Sequence, residues 1–232
     1  MLAPIKVPFR THTELDHMAA ELLRKYSAWK GSPARPPIDV EEIVEGLLDL
    51  DFEVEDLREI LGMPDVLGAT WLEDRLIRVD QSLEGKEGRF AFTVAHEVGH
   101  WVLHGPIIEM EKVTLPLFAA KPDEAPKPAI VCRSRAYKQP AEWQADQFAA
   151  RILMPAADVR AVARALHGNE PKVLADLEAH RRAGVLDPEL RALAGGVIAD
   201  GNFSNVSNEA MSYRLLDLKL AVDKAQYQPG LF

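Results

Sequence analysis

Hydrophobic and polar positions along this chain follow two different periods, and the change of period separates its parts. Leu15, Met18, Ala19, Leu22, Leu23 and Tyr26 recur at three- and four-residue spacing, which predicts an amphipathic helix with one apolar stripe. Thr11-His-Thr-Glu14 in front of it is a capping-box pattern, so the helix should run from there to about Lys30. Gly31 to Pro37 is a Pro-rich connector, and Asp39-Val-Glu-Glu42 starts a second helix ending near Leu50. Between Phe52 and Asp80 the pattern changes. Phe52-Glu-Val-Glu, Val66-Leu-Gly-Ala-Thr-Trp-Leu and Leu76-Ile-Arg-Val read as strands, with a turn at Glu73-Asp74. They predict a small antiparallel sheet, with Val66–Leu72 as an exposed edge to which an extended peptide could be added.

From Phe90 to His104 the helical period returns, now with a nearly all-apolar wheel. Thr93, His96, Glu97, His100 and His104 share one arc, and Phe90, Phe92, Val94, Ala95, Val98, Trp101, Val102 and Leu103 fill the rest. A helix this apolar is buried, so its polar strip must face partners rather than bulk water. The strip contains H-E-x-x-H. At 3.6 residues per turn His96 and His100 stand one turn, roughly 6 Å, apart on the same face. Two neutral imidazoles at that spacing can reach one tetrahedral ion, with Glu97 beside the open position as a general base. The bland alternative is a core helix whose histidines satisfy backbone carbonyls while Glu97 pairs with an Arg. His104 lies about 12 Å from His96 along the axis, too far for three-histidine ligation on a regular helix. It reads instead as a cap near the helix C-terminus.

A third ligand should lie downstream. Ala141-Glu-Trp-Gln-Ala-Asp146-Gln-Phe-Ala-Ala150 and its continuation read as another helix, stopped by Pro155. Glu142 and Asp146 are i,i+4 neighbours, with Ala145 and Ala149 beside them, small enough for a close helix approach. Glu142 can complete a site of two histidines and one glutamate, and Asp146 can hold the far N–H of a ligating histidine. A surface helix with two solvated acids is the competing reading.

A-H-E-x-G-H-x-x-L-H followed by E-x-x-A-D-x-F-A-x-x-x-L-M-P resembles the ImmA/IrrE family of bacterial zinc metallo-endopeptidases. Pro36-Pro-Ile-Asp-Val40 upstream and Val206-Ser-Asn-Glu-Ala-Met-Ser-Tyr-Arg-Leu215 near the end extend the likeness over roughly residues 12 to 220. The resemblance implies a cytoplasmic, gluzincin-like peptidase with zinc on His96, His100 and Glu142, and with Glu97 as general base. It also implies a substrate: a partner helix-turn-helix repressor whose cleavage switches on stress, phage or mobile-element genes.

Composition narrows the class further. The 232 residues allow one sizeable domain and a small one. A single cysteine, Cys132, excludes an intramolecular disulfide and suits a reducing compartment. No apolar run approaches membrane length. A net charge of −9 disfavours nonspecific nucleic-acid binding and suits a basic partner. The expected fold is α+β: a gluzincin-like peptidase core over residues 1–155, its small antiparallel sheet packed on the H-E-x-x-H helix. An all-helical, helix-turn-helix-like module over 156–232 should follow.

Its helices are expected at Ala156–His167, Pro171–Ala179, Asp187–Ala199 and Ser207–Asp223. Arg214, Lys219 and Lys224 against Glu209, Asp217 and Asp223 make a poor phosphate-binding helix, so direct DNA binding is not expected. Gly105 to Pro140 is Pro-rich and reads as a long loop, either a flap over the site or a variable insertion. Tyr137, His167 and His180 are candidates for polarising a scissile carbonyl, and the sequence selects none of them. Besides a zinc endopeptidase, the sequence leaves open a regulatory binding module with a non-catalytic metal site. Oligomeric state is not encoded legibly.

Overall fold

The computed structural model describes residues 6–114, 130–133 and 139–227. The chain divides into two units, Met1–Ala34 with Asp39–Ile152, and Arg35–Ile38 with Leu153–Phe232. The sequence reading set its boundary after Pro155; the units part after Ile152.

The first unit opens with α1 (His12–Lys30), for which Thr11 accepts from the Glu14 N–H while Glu14 reaches back to the Thr11 N–H. Its buried residues are Leu15, Ala19, Leu22 and Tyr26, all from the predicted stripe. Asp39 caps α2 (Val40–Glu42), which continues as a π-helical turn over Ile43–Leu47. The sheet follows: β1 (Asp51–Glu55), β2 (Val66–Trp71), β3 (Leu76–Asp80) and β4 (Ile130–Arg133), in the order β1-β3-β2-β4. A short helix, α3 (Leu57–Leu61), separates β1 from β2 and starts at the Asp56 cap.

This sheet corrects two expectations. It is mixed rather than antiparallel, because β1 pairs parallel to β3 while β2 pairs antiparallel to both β3 and β4. The turn of α3 carries the chain past the β3 position, so the β2–β3 hairpin folds back with β3 beside β1. Second, β2 is interior, with all six residues buried. The edges are β1 and β4, and Val66–Leu72 offers no free edge for a peptide.

One long helix, α4 (Glu87–Thr114), crosses β2 and β3. Phe90 at its start meets Phe52 of β1 edge to face at 6.1 Å. The helix runs through Pro106, whose missing N–H removes one intrahelical bond without ending it. The stretch expected as loop from Gly105 therefore begins as helix and includes β4. The flap idea falls mainly on residues 115–129 and 134–138, outside the described residues, as does Tyr137. The unit closes with α5 (Pro140–Leu153), on which Arg151, 3 % exposed, pairs with Asp16 at 2.7 Å.

The second unit contains α6 (Ala156–His167), β5 (Lys172–Leu174), α7 (Leu177–Arg182), α8 (Pro188–Asp200), α9 (Asn208–Asp217) and β6 (Ala221–Asp223). It is not all helical. β5 and β6 pair parallel, Lys172 opposite Ala221, and take the ends of two stretches expected as helix. Phe203, Val197, Leu190 and Leu215 are buried in this unit. Asn202 and Asn205 donate to the carbonyls of Pro36 and Ile38, which ties Arg35–Ile38 to the turn before α9. Ser207 caps α9 by accepting from Ala210. Arg214, on the helix weighed for phosphate contact, is 3 % exposed and donates to the Met154 carbonyl and to Asp217.

Candidate metal centre

The polar strip of α4 is buried, as its apolar surroundings require. His96 is 3 % exposed, and Glu97, His100 and His104 are fully covered among Val94, Ala95, Val98 and Leu103. The helix spacing sets His96 Nε2 and His100 Nε2 2.9 Å apart. Glu142 of α5 presents one carboxylate oxygen to each, Oε2 to His96 and Oε1 to His100, both at 3.3 Å. The candidate ligand atoms of His96, His100 and Glu142 all lie within 4.8 Å of one another. Asp146, one turn along α5, accepts at 2.9 Å from His96 Nδ1. A carboxylate only accepts, so the neutral His96 ring carries its proton on Nδ1 and turns a bare Nε2 towards Glu142.

Helix α5 comes this close because nothing stands between the backbones. A Cβ added at Gly99 would lie 3.1 Å from Ala145 Cα and 3.2 Å from its carbonyl oxygen. Gly99 and Ala145 therefore fix the separation of the two helices that carry the cluster.

Glu97 is held from the sheet. Gly68 and Thr70 share one face of β2 by the period of two, and that face meets Glu97. Thr70 Oγ1 donates to Glu97 Oε2 at 2.7 Å. A Cβ at Gly68 would lie 2.7 Å from Glu97 Oε1. That oxygen is buried and has no hydrogen-bond partner among the described residues.

The charges respond to burial. Desolvation pushes the Glu97 carboxyl up to about 7, against the smaller lowering effects of His96 and Thr70. Burial would raise Glu142 as well, but the imidazoles of His100 and His96 against its oxygens hold it well below the usual carboxylate range. Desolvation lowers His100 and takes His104 down to about 3. Two imidazoles, an ionised carboxylate and a buried carboxylate oxygen with no hydrogen-bond partner among the described residues converge here. That donor set fits a divalent cation of the kind bound by two histidines and a glutamate.

His104 does not cap a helix end, because α4 continues to Thr114. Its Nδ1 faces His100 Nδ1 at 2.9 Å, and its Nε2 faces Gln144 Oε1 at 3.2 Å. Gln144 in turn donates to the Pro8 carbonyl at 2.8 Å. The sequence reading missed Gly68, Thr70 and Gln144. A glycine inside an apolar strand pattern is a signal of close backbone approach, and Gly68 carried it; nothing local singled out Thr70 or Gln144. His167 and His180 lie on α6 and α7 of the second unit, where His180 pairs with Asp187 at 2.9 Å.

The buried His96, His100 and Glu142 form a group that could hold a metal ion, with the Glu97 carboxylate adjoining it, as a metallopeptidase type of protein requires. The chain belongs to the IrrE N-terminal-like domain family of peptidases, whose model matches residues 68–185, just over half of its length. That stretch contains Gly68, Thr70, the three clustered side chains, Glu97 and Asp146. No curated protein matches the chain. No described helix is long and apolar enough to cross a membrane.

Proposed function

We propose that this protein is a zinc-dependent endopeptidase. The observation that carries the reading is Glu97: a fully buried carboxylate with one oxygen tied to Thr70 and the other, beside the cluster, without a partner among the described residues. A structural core glutamate has no reason to leave a buried oxygen unsatisfied. A general base does, because that oxygen must accept a proton during turnover.

His96, His100 and Glu142 would hold the ion, with zinc the natural occupant of such a donor set. When bound, zinc acidifies water and polarises a carbonyl oxygen. Glu97 Oε1 takes the proton of the attacking water, and the same carboxyl returns it to the leaving amine. Asp146 keeps the proton of His96 on Nδ1 throughout. Thr70 keeps Glu97 Oε2 engaged, so proton traffic passes through Oε1 alone.

The substrate we infer is a DNA-binding repressor encoded nearby, cut to release stress, phage or mobile-element genes in the cytoplasm. Family resemblance supports it, and the net charge of −9 favours a basic partner over nucleic acid. The burial of Arg214 weakens α9 as a DNA reader in its own right.

The test mixes purified wild type or Glu97→Gln with the neighbouring repressor, with zinc or with chelator. Cleavage by zinc-loaded wild type alone supports the reading. Equal effects of wild type and Glu97→Gln on the repressor would instead identify a binding module whose metal site does no chemistry.

A further inference from the structure

The cluster on α4 contains one side chain that the proposed reaction does not use. His104 is fully buried, is not one of the three clustered ligand residues, and has both ring nitrogens engaged, by His100 and by Gln144. The direction of those hydrogen bonds can be read from the far end. The Pro8 carbonyl can only accept, so the Gln144 amide group that faces it at 2.8 Å is the NH2. Gln144 Oε1 then faces His104 Nε2, and an amide oxygen can only accept, so His104 carries its proton on Nε2. A neutral His104 therefore has a bare Nδ1. That nitrogen lies 2.9 Å from His100 Nδ1, which must be the donor. With its proton on Nδ1, His100 turns a bare Nε2 towards His96 and Glu142.

We infer that His104, oriented by Gln144 and the Pro8 carbonyl, is a positioning residue that fixes His100 in the tautomer able to bind metal. It does for His100 what Asp146 does for His96, with a neutral acceptor in place of a carboxylate. Such partners of ligating histidines typically influence metal affinity by about 10- to 100-fold. Pro8, ahead of α1, thereby supports the metal centre through its carbonyl, although it contributes no ligand. The inference rests on His96, His100 and Glu142 holding the ion.

Zinc(II) is the probe, titrated into the full chain in competition with a chromogenic chelator. His104→Leu removes the acceptor and is expected to weaken zinc binding by about 10- to 100-fold. His104→Asn puts an amide oxygen where Nδ1 stood and should stay close to wild type. Gln144→Leu leaves His104 free to take either tautomer and should fall between them. Thermal unfolding of each variant identifies any that fails to fold. Ring 15N shifts of the wild type supply a readout that needs no variant, with the His104 proton expected on Nε2 and a bare Nδ1.

A folded His104→Leu that binds zinc like wild type would overturn the inference, as would a His104 proton found on Nδ1. Wild type that binds no zinc would instead bring down the metal reading. In that case the His104 ring shifts in the same sample still decide the hydrogen-bond chain.

Discussion

Thr70 on β2 donates its hydroxyl proton to Glu97 on α4 across 2.7 Å, in a place where neither side chain meets solvent. The bond engages one carboxylate oxygen and leaves the other, Oε1, for the proton transfer we propose. Thr70→Val keeps the shape and removes the donor. A hydrogen bond to a charged group contributes about 1.5–3 kcal/mol, so kcat for peptide cleavage should fall by about 10- to 100-fold. Zinc affinity should hardly change, and Thr70→Ser should recover most of the rate. Equal losses in zinc affinity and kcat would assign Thr70 to packing alone.

Gly68 is required by the same contact. In Gly68→Ala the new methyl meets Glu97 Oε1 at 2.7 Å and the Thr93 methyl at 3.0 Å, so the carboxylate or the strand has to move. Overpacking of this kind costs about 1–3 kcal/mol. We expect a lower Tm and a loss of cleavage out of proportion to it. Unchanged cleavage by the folded variant would mean that Glu97 does not need its present position.

Burial of Glu97 makes the stability of metal-free protein depend on pH in a stated direction. Its carboxyl titrates near 4.5 when unfolded and near 7 when folded. Below pH 4.5 both states are protonated. Between 4.5 and 7 only the unfolded chain ionises, which favours unfolding. Relative to Glu97→Gln, wild type should therefore lose stability as pH rises from 4.5 to 7, and lose no more above it. Urea midpoints of the two proteins at pH 4.5, 6 and 8 test this. Parallel midpoints across the series would mean that Glu97 is not desolvated in solution.

In the second unit, Arg214→Leu tests whether this residue is structural. Its guanidinium donates to the Met154 carbonyl and to Asp217 from a buried position. Leaving a buried acceptor unpaired costs about 1–3 kcal/mol, and a lowered Tm is the expected result. A weakened, salt-dependent retention on DNA with no change in Tm would return Arg214 to the phosphate-binding role that its burial argues against.

The clustered residues were legible because helix spacing is local. His96 to His100 and Glu142 to Asp146 are each one turn, and buried polar side chains on apolar helices stand out. The residues that hold them were not legible, because their positions depend on tertiary register. Thr70 matters only once β2 lies under α4, and Gln144 only once Pro8 comes back across α5. The sheet order failed for a related reason: α3 is five residues long, too short to leave a clear period, and it decides which strand lies beside β1. β5 and β6 are three residues each and find each other across 46 intervening positions, so no local pattern announces them. Pro106 misled in the opposite direction, marking a helix end where α4 absorbs it.

The meeting of Gly99 with Ala145 bears on how this protein is assembled. The missing side chain of Gly99 and the small one of Ala145 let α4 and α5 approach closely, so the distance from imidazoles to carboxylate is set by the packing of the two helices. Small zinc domains gain their fold from the metal. Here the spacing of the two helices rests on Gly99 and Ala145, so a chelator is expected to leave the protein folded, with an unchanged far-UV CD spectrum.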